Sequence, residues 1–336
     1  MNKKILIGII LSIIISGIVF SIYSTTLNKN IIIDIFTSIS PFELFIALII
    51  LIISFIFDGI KHYVVFRSLG QQLSFFTALN SCFIAAYFST ITPFSIGGQP
   101  FQILYLTKKG VKSSYATQIV FLRLFEMIFL MFLIDLYYLS FLSNRILLGI
   151  SRKLIILGLI LTLISSLSIL LSIIFPKFIS KIILLVSKIP LISKFVQTDK
   201  IKNWFSELDS VIKKIFKEHR NLLFFDLVMM FILLILISFV FFYAINTFTK
   251  LNINFFEFFA ITNIINAIAF LTPTPGASGG FELVFSKFLE SFATNKELII
   301  KGVLFYRFLS YYLILSLGTI ILLISTLKEK KRKVSE

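Results

Sequence analysis

The chain has 336 residues, 58% of them hydrophobic and 14% charged, with a formal net charge of +16. Ordinary soluble domains carry about a quarter charged residues, so water is excluded as the main solvent of this one. The basic excess would suit a nucleic-acid partner, but Lys and Arg concentrate in alternate loops and the C-terminal tail, the bias that orients membrane proteins, and no nucleic acid is expected.

In chain order, Lys3-Lys4 precede an apolar run from Ile5 to Tyr23 without a small-residue cleavage site, which reads as a retained signal anchor. Further strong spans lie near Glu43 to Phe66, Ser114 to Leu142, Lys153 to Phe175, Asn221 to Phe248 and Ile299 to Leu327. Two weaker regions are broken. Ser74 to Lys108 is interrupted at Thr92-Pro93-Phe94-Ser95-Ile96-Gly97-Gly98-Gln99-Pro100, and Phe255 to Phe292 at Thr272-Pro273-Thr274-Pro275-Gly276-Ala277-Ser278-Gly279-Gly280. Each arm is short for a crossing, so a re-entrant hairpin and a pair of spans both fit. Either returns the chain to its starting side, which places both termini in the cytoplasm, with Lys108, Lys109, Lys112 and the Lys328 to Lys333 tail inside.

The expected fold is a single all-α polytopic domain over residues 1–336, with about eight transmembrane helices and two Gly/Pro-broken hairpins. The segment 176–220 is its one sizeable soluble piece. There Trp204, Phe205, Leu208, Val211, Ile212 and Ile215 recur at helical spacing among lysines, predicting a basic amphipathic helix. An interfacial helix on anionic headgroups is the preferred reading, and packing against other loops the alternative.

The breaks repeat. Thr92-Pro93 with Thr272-Pro273, Gly97-Gly98 with Gly279-Gly280, and Arg123 with Arg307 stand at nearly constant offset. This predicts a duplication with halves 24–145 and 221–327, inverted because the hairpins enter from opposite sides. Inverted repeats with broken helices are a transporter architecture, and paired Gly/Pro interruptions point to the binding site. A helix restarting after Gly98 or Gly280 would turn free N–H groups toward an anion. Arg123 and Glu126, three apart on one face, and Arg307 and Glu282 are intramembrane charges that should face the interior and be paired. The functional reading has the arginines on an anionic headgroup, with the glutamates orienting them or titrating; a structural Arg–Glu pair is the plain alternative. Asp135 and Asp226 read as packing residues, and Asn263 and Asn266 as interhelical hydrogen-bond partners. Substrate-binding candidates are thus Arg123, Glu126, Gly97, Gly98, Gln99, Pro273, Pro275, Gly276, Gly279, Gly280, Glu282 and Arg307.

Cys82 is the only cysteine, and His62 and His219 are the only histidines, so neither a disulfide nor a His/Cys metal site is expected. No nucleophile triad, P-loop or dinucleotide fingerprint is present, so no catalytic residue and no cofactor are assigned.

Gly97-Gly98-Gln99-Pro100 with Arg123, and Pro273 to Glu282 with Arg307 and Tyr311-Tyr312, resemble the lysylphosphatidylglycerol synthase transmembrane-region, or flippase-like, family, which includes the membrane domain of the multiple peptide resistance factor. The resemblance covers nearly the whole chain. It implies a bacterial or archaeal cytoplasmic-membrane protein moving or binding polar lipids such as aminoacylated phosphatidylglycerol or polyprenyl-linked lipids, and a link to antibiotic resistance. Full-length synthases add a cytoplasmic transferase domain. This sequence stops soon after its last span, so transport is expected rather than lysyl transfer, although a phosphatidylglycerol lysyltransferase label could attach by homology. Anionic lipids are the expected partners, with a separate lipid-modifying enzyme and a homo-oligomer as further ones.

Overall fold

The computed structural model describes residues 31–141, 152–186, 198–269, 272–290 and 295–335, with positions 10, 14, 292 and 293. The anchor at Ile5 to Tyr23 lies almost wholly outside the described residues. Among those described, all regular elements are helical. They are α1 (Ile31–Ser38), α2 (Pro41–Ser68), α3 (Phe75–Thr90), α4 (Gly98–Lys108), α5 (Ser113–Phe141), α6 (Arg152–Ile174), α7 (Pro176–Val186), α8 (Thr198–Glu218), α9 (Arg220–Asn246), α10 (Phe255–Ala269), α11 (Gly280–Leu289), α12 (Lys296–Arg307) and α13 (Leu313–Ser335). A π-helical turn, Phe308–Tyr312, joins the last two.

Local signals set these boundaries. Ser40 and Glu43 form a capping box before α2, with Glu43 N–H donating to Ser40 Oγ at 3.2 Å and Ser40 N–H to Glu43 Oε2 at 2.8 Å. Pro41 follows at the first helical position, where its missing N–H costs nothing. Asn254 and Glu257 make the same reciprocal pair at α10, and Asn295 caps α12. Gly70, at φ +76°, releases the chain from α2 in the left-handed conformation.

Among the described residues, three helices are long and apolar enough to cross a membrane: α2, α9 and Lys296–Ile324, which runs from α12 through the π turn into α13. Gly158–Ile174 and Pro176–Leu185 make a fourth span if counted together, bent by 95° at Phe175-Pro176, where proline cannot donate into the preceding turn. Large apolar side chains such as Phe42, Phe45, Ile52, Leu171 and Ile320 remain exposed on these helices, as a lipid-facing surface requires. The chain is a multi-pass membrane protein.

The interrupted regions fold as two helical hairpins, α3 with α4 and α10 with α11. Helix α2 packs on α3 and on α9, α9 packs on α12, and α13 packs directly on α3, so the first hairpin is tied to the C-terminal helices both through α2 and α9 and by direct contact. Phe241, Phe258, Phe285 and Phe305 from α9, α10, α11 and α12 are fully buried in one cluster, with the Phe241 and Phe285 rings 4.8 Å apart. This aromatic packing holds the second hairpin in place. The two breaks meet, with Pro93 and Pro275 forming an isolated antiparallel bridge.

The amphipathic helix α8 corrects the preferred sequence reading. Its apolar face is buried in protein: Val211 and Ile215 join Val65 and Phe66 of α2, Leu106 of α4, and Ala116 and Ile119 of α5 in one core. Trp204 Nε1 donates to Ser113 Oγ at 3.3 Å, and Gln118 Nε2 donates to the Leu208 carbonyl at 3.0 Å. A helical apolar stripe has the same period whether lipid or protein covers it, and here protein does.

Candidate functional site

Each break packs a threonine side chain against a glycine. The Thr92 hydroxyl donates to the Phe88 carbonyl at 2.7 Å and accepts from Gly97 N–H at 2.9 Å. A Cβ on Gly97 would collide with the Thr92 side chain, and one on Gly280 with that of Thr272. Phe94 and Ser95 in the first break and Ala277 in the second take positive φ of 54°, 57° and 56°. That conformation costs non-glycine residues roughly 1–3 kcal/mol each and persists only where surroundings impose it.

The second break is locked. Arg307 Nε donates to Glu282 Oε1 at 2.8 Å, and Nη2 donates to the Gly276 carbonyl at 3.1 Å and to Ser278 Oγ at 3.0 Å. The guanidinium lies 4.9 Å from the centre of the Phe281 ring and 4.3 Å from that of Tyr311, so cation–π contacts close it from both sides. Glu282 Oε2 accepts from Gly279 N–H at 2.8 Å, which occupies the helix start that an anion would otherwise take. Arg307 and Glu282 are 5% and 0% exposed. Gly276, at φ +57°, sits against Tyr311 where no side chain fits. Pro275 is buried and Pro273 exposed at the loop edge.

The first break is open by comparison. At the start of α4 the Gly97 N–H is taken by Thr92 rather than by a carboxylate, and Gln99 on the first turn lines a cavity of about 280 Å³ with Asp58, Cys82, Gln102, Arg123 and Ser310. Arg123 Nη2 lies 2.5 Å from Asp58 Oδ2, and the Arg123 side chain keeps 25% exposure against 8% for Asp58. The paired arginine therefore still presents part of its fork to the cavity.

Arg123 and Glu126 share a face of α5 without pairing with each other. Asp58 and Lys61 stand three apart on α2, and the charges match crosswise: Asp58 takes Arg123, and Lys61 Nζ lies 3.1 Å from Glu126 Oε2. Lys61 also lies 2.6 Å from Asp226 Oδ1 of α9, close enough for an ion pair though off the direction of a good hydrogen bond. Asp226, read from sequence as a packing residue, is thus part of a dry triad whose members are 1–3% exposed. Asn263 donates to the Phe259 carbonyl of its own helix at 2.7 Å rather than across to another.

Sequence reasoning missed Asp58, Lys61 and His62. The signal was there: three ionisable residues inside one apolar span must each find a partner. It also counted only histidine and cysteine as metal donors, whereas the fold brings the Asp58 carboxylate, His62 and Cys82 within 4.8 Å of one another, all buried.

No curated protein matches the chain. The family described as lysylphosphatidylglycerol synthase TM region matches residues 5–318, which take in both broken hairpins, Arg123 and Arg307. The chain belongs to that family.

Proposed function

We propose that the chain is a lipid transporter that moves polar lipids across a bacterial or archaeal cytoplasmic membrane, with both termini cytoplasmic. Its substrates are phospholipids with anionic or aminoacylated headgroups, or polyprenyl-linked lipids. The observation that carries this reading is the meeting of the two Gly/Pro breaks at Pro93 and Pro275, with the partly exposed Arg123 in the wall of an adjoining polar cavity. Family membership supports a lipid-related role. About eight crossings and two re-entrant hairpins in an inverted repeat complete the proposed architecture.

The two arginines divide the work. Arg123 and the Gln99 side-chain amide, both in the cavity wall, offer donors to a phosphate. Arg307 acts through the loop it clamps, holding Gly276 and Ser278 beside the first break. A cavity of about 280 Å³ takes a headgroup and leaves acyl chains in the bilayer.

The test is transbilayer movement of a fluorescent phosphatidylglycerol in proteoliposomes. Arg123→Ala is expected to lose most of the activity and Arg123→Lys to keep part of it, because a point charge replaces the fork. An Arg123→Ala protein that moves the lipid at the wild-type rate sinks the assignment.

A further inference from the structure

We propose that Asp58 Oδ1, His62 Nδ1 and Cys82 Sγ bind a divalent transition-metal ion, zinc by the character of the donors, in the wall of the cavity between α2 and α3. The set combines a carboxylate oxygen, an imidazole nitrogen and a thiolate, all three of them zinc ligands. His62 Nδ1 lies 3.3 Å from Asp58 Oδ1 and 3.4 Å from Cys82 Sγ. Ligands about 2.0–2.3 Å from a tetrahedral zinc stand roughly 3.3–3.6 Å apart, so the two edges that meet at His62 already have tetrahedral length, and all three donors lie within 4.8 Å of one another.

Two buried oxygens have no hydrogen-bond partner, Asp58 Oδ1 and Gln102 Oε1, on residues that are 6% and 1% exposed. The first is one of the three donors. The second belongs to the amide that faces the other nitrogen of His62, with Gln102 Nε2 at 3.2 Å from His62 Nε2. Turning that amide by 180° lets Oε1 accept from His62 Nε2–H, which leaves Nδ1 with its lone pair toward Asp58 and Cys82. Without an ion, Nδ1–H has a competing acceptor, the Asp58 carbonyl at 2.9 Å.

Asp58 can serve both neighbours at once, with Oδ2 on Arg123 and Oδ1 on the metal. The ion would then fix the carboxylate that orients Arg123, and it reaches its place through the cavity that Asp58, Cys82 and Gln102 line.

The experiment uses the purified full chain in nanodiscs, free of affinity tag, stripped with chelator and re-equilibrated with Zn²⁺ or Co²⁺. Elemental analysis is expected to give one zinc per chain, and the Co²⁺ form a thiolate-to-cobalt charge-transfer band. Cys82→Ala and His62→Gln should lose both, and Gln102→Leu should weaken binding by roughly 10–100-fold. Should the ligand variants fail to fold, the wild type suffices: Cys82 is the only cysteine, and Zn²⁺ is expected to slow its modification by a small thiol reagent at least tenfold, reversibly with chelator. Zinc content unaffected by Cys82→Ala, or thiol modification unaffected by Zn²⁺, overturns the proposal and leaves a buried histidine satisfied by its own helix.

Discussion

Replacing Lys61 by methionine tests how the interior tolerates charge. Lys61 is 2% exposed and lies 2.6 Å from Asp226 and 3.1 Å from Glu126. At an effective dielectric of about 20 these attractions amount to ~6 and ~5 kcal/mol, most of which offsets the desolvation of three charges. Removing the ammonium leaves two carboxylates facing each other without compensation, so Lys61→Met is expected to cost about 3–5 kcal/mol. Combining it with Glu126→Gln and Asp226→Asn should restore most of the loss, because uncharged groups carry no such penalty. The assay is thermal melting in detergent followed by size-exclusion of the surviving monodisperse protein. A Lys61→Met protein that melts with the wild type, or a triple variant less stable than the single one, refutes the claim that the triad is a dry, mutually compensating unit.

Three other outcomes follow from particular residues. Gly276→Ala should destabilise by about 2–4 kcal/mol, since it meets both a left-handed backbone and the Tyr311 ring, whereas Gly70→Ala, at φ +76° with nothing within 4 Å, pays only the dihedral part of about 1 kcal/mol; equal melting shifts for the two would remove Tyr311 from the account. Thr92→Val keeps the shape against Gly97 but strands the Gly97 N–H, with an expected loss of about 1–2 kcal/mol in the same assay. For Asp209, burial opposes ionisation, but hydrogen bonds from Lys213 and Lys177 outweigh it and hold the carboxyl below its ordinary range. A lowered folded-state pKa stabilises fully above the unfolded value of about 3.9 and is lost as pH falls below it. Asp209→Asn should therefore loosen α8 at pH 7, read as faster backbone hydrogen exchange, and should match the wild type in acid; a difference that persists in acid would assign the effect to packing.

The hairpins were legible because their signal is local. Proline and glycine act on the backbone at their own positions, so Thr92-Pro93 and Gly279-Gly280 announced both breaks; α2, α5, α6 and α9 end within a residue or two of the apolar runs, whereas the last helix runs on to Ser335, beyond the expected Leu327. The amphipathic stripe of α8 was equally plain, but periodicity does not name what covers it. The pairings were hidden for another reason. Asp58 and Arg123, like Lys61 and Glu126, are 65 residues apart in the chain, and only tertiary packing decides that α5 looks to α2 rather than to itself. Window-averaged hydropathy also submerged Asp58, Lys61 and His62 in an apolar run, and with them two of the three donors beside Cys82.

The contact between Pro93 and Pro275 has a mechanical consequence. Neither residue has an N–H, and no strand extends from the bridge on either side among the described residues. The two breaks touch there without a ladder to unzip. The second loop is anchored by the side chains of Arg307 and Glu282, while the side-chain hydrogen bonds of the first come from Thr92. The seam is therefore held by side-chain hydrogen bonds mainly from the second loop's side.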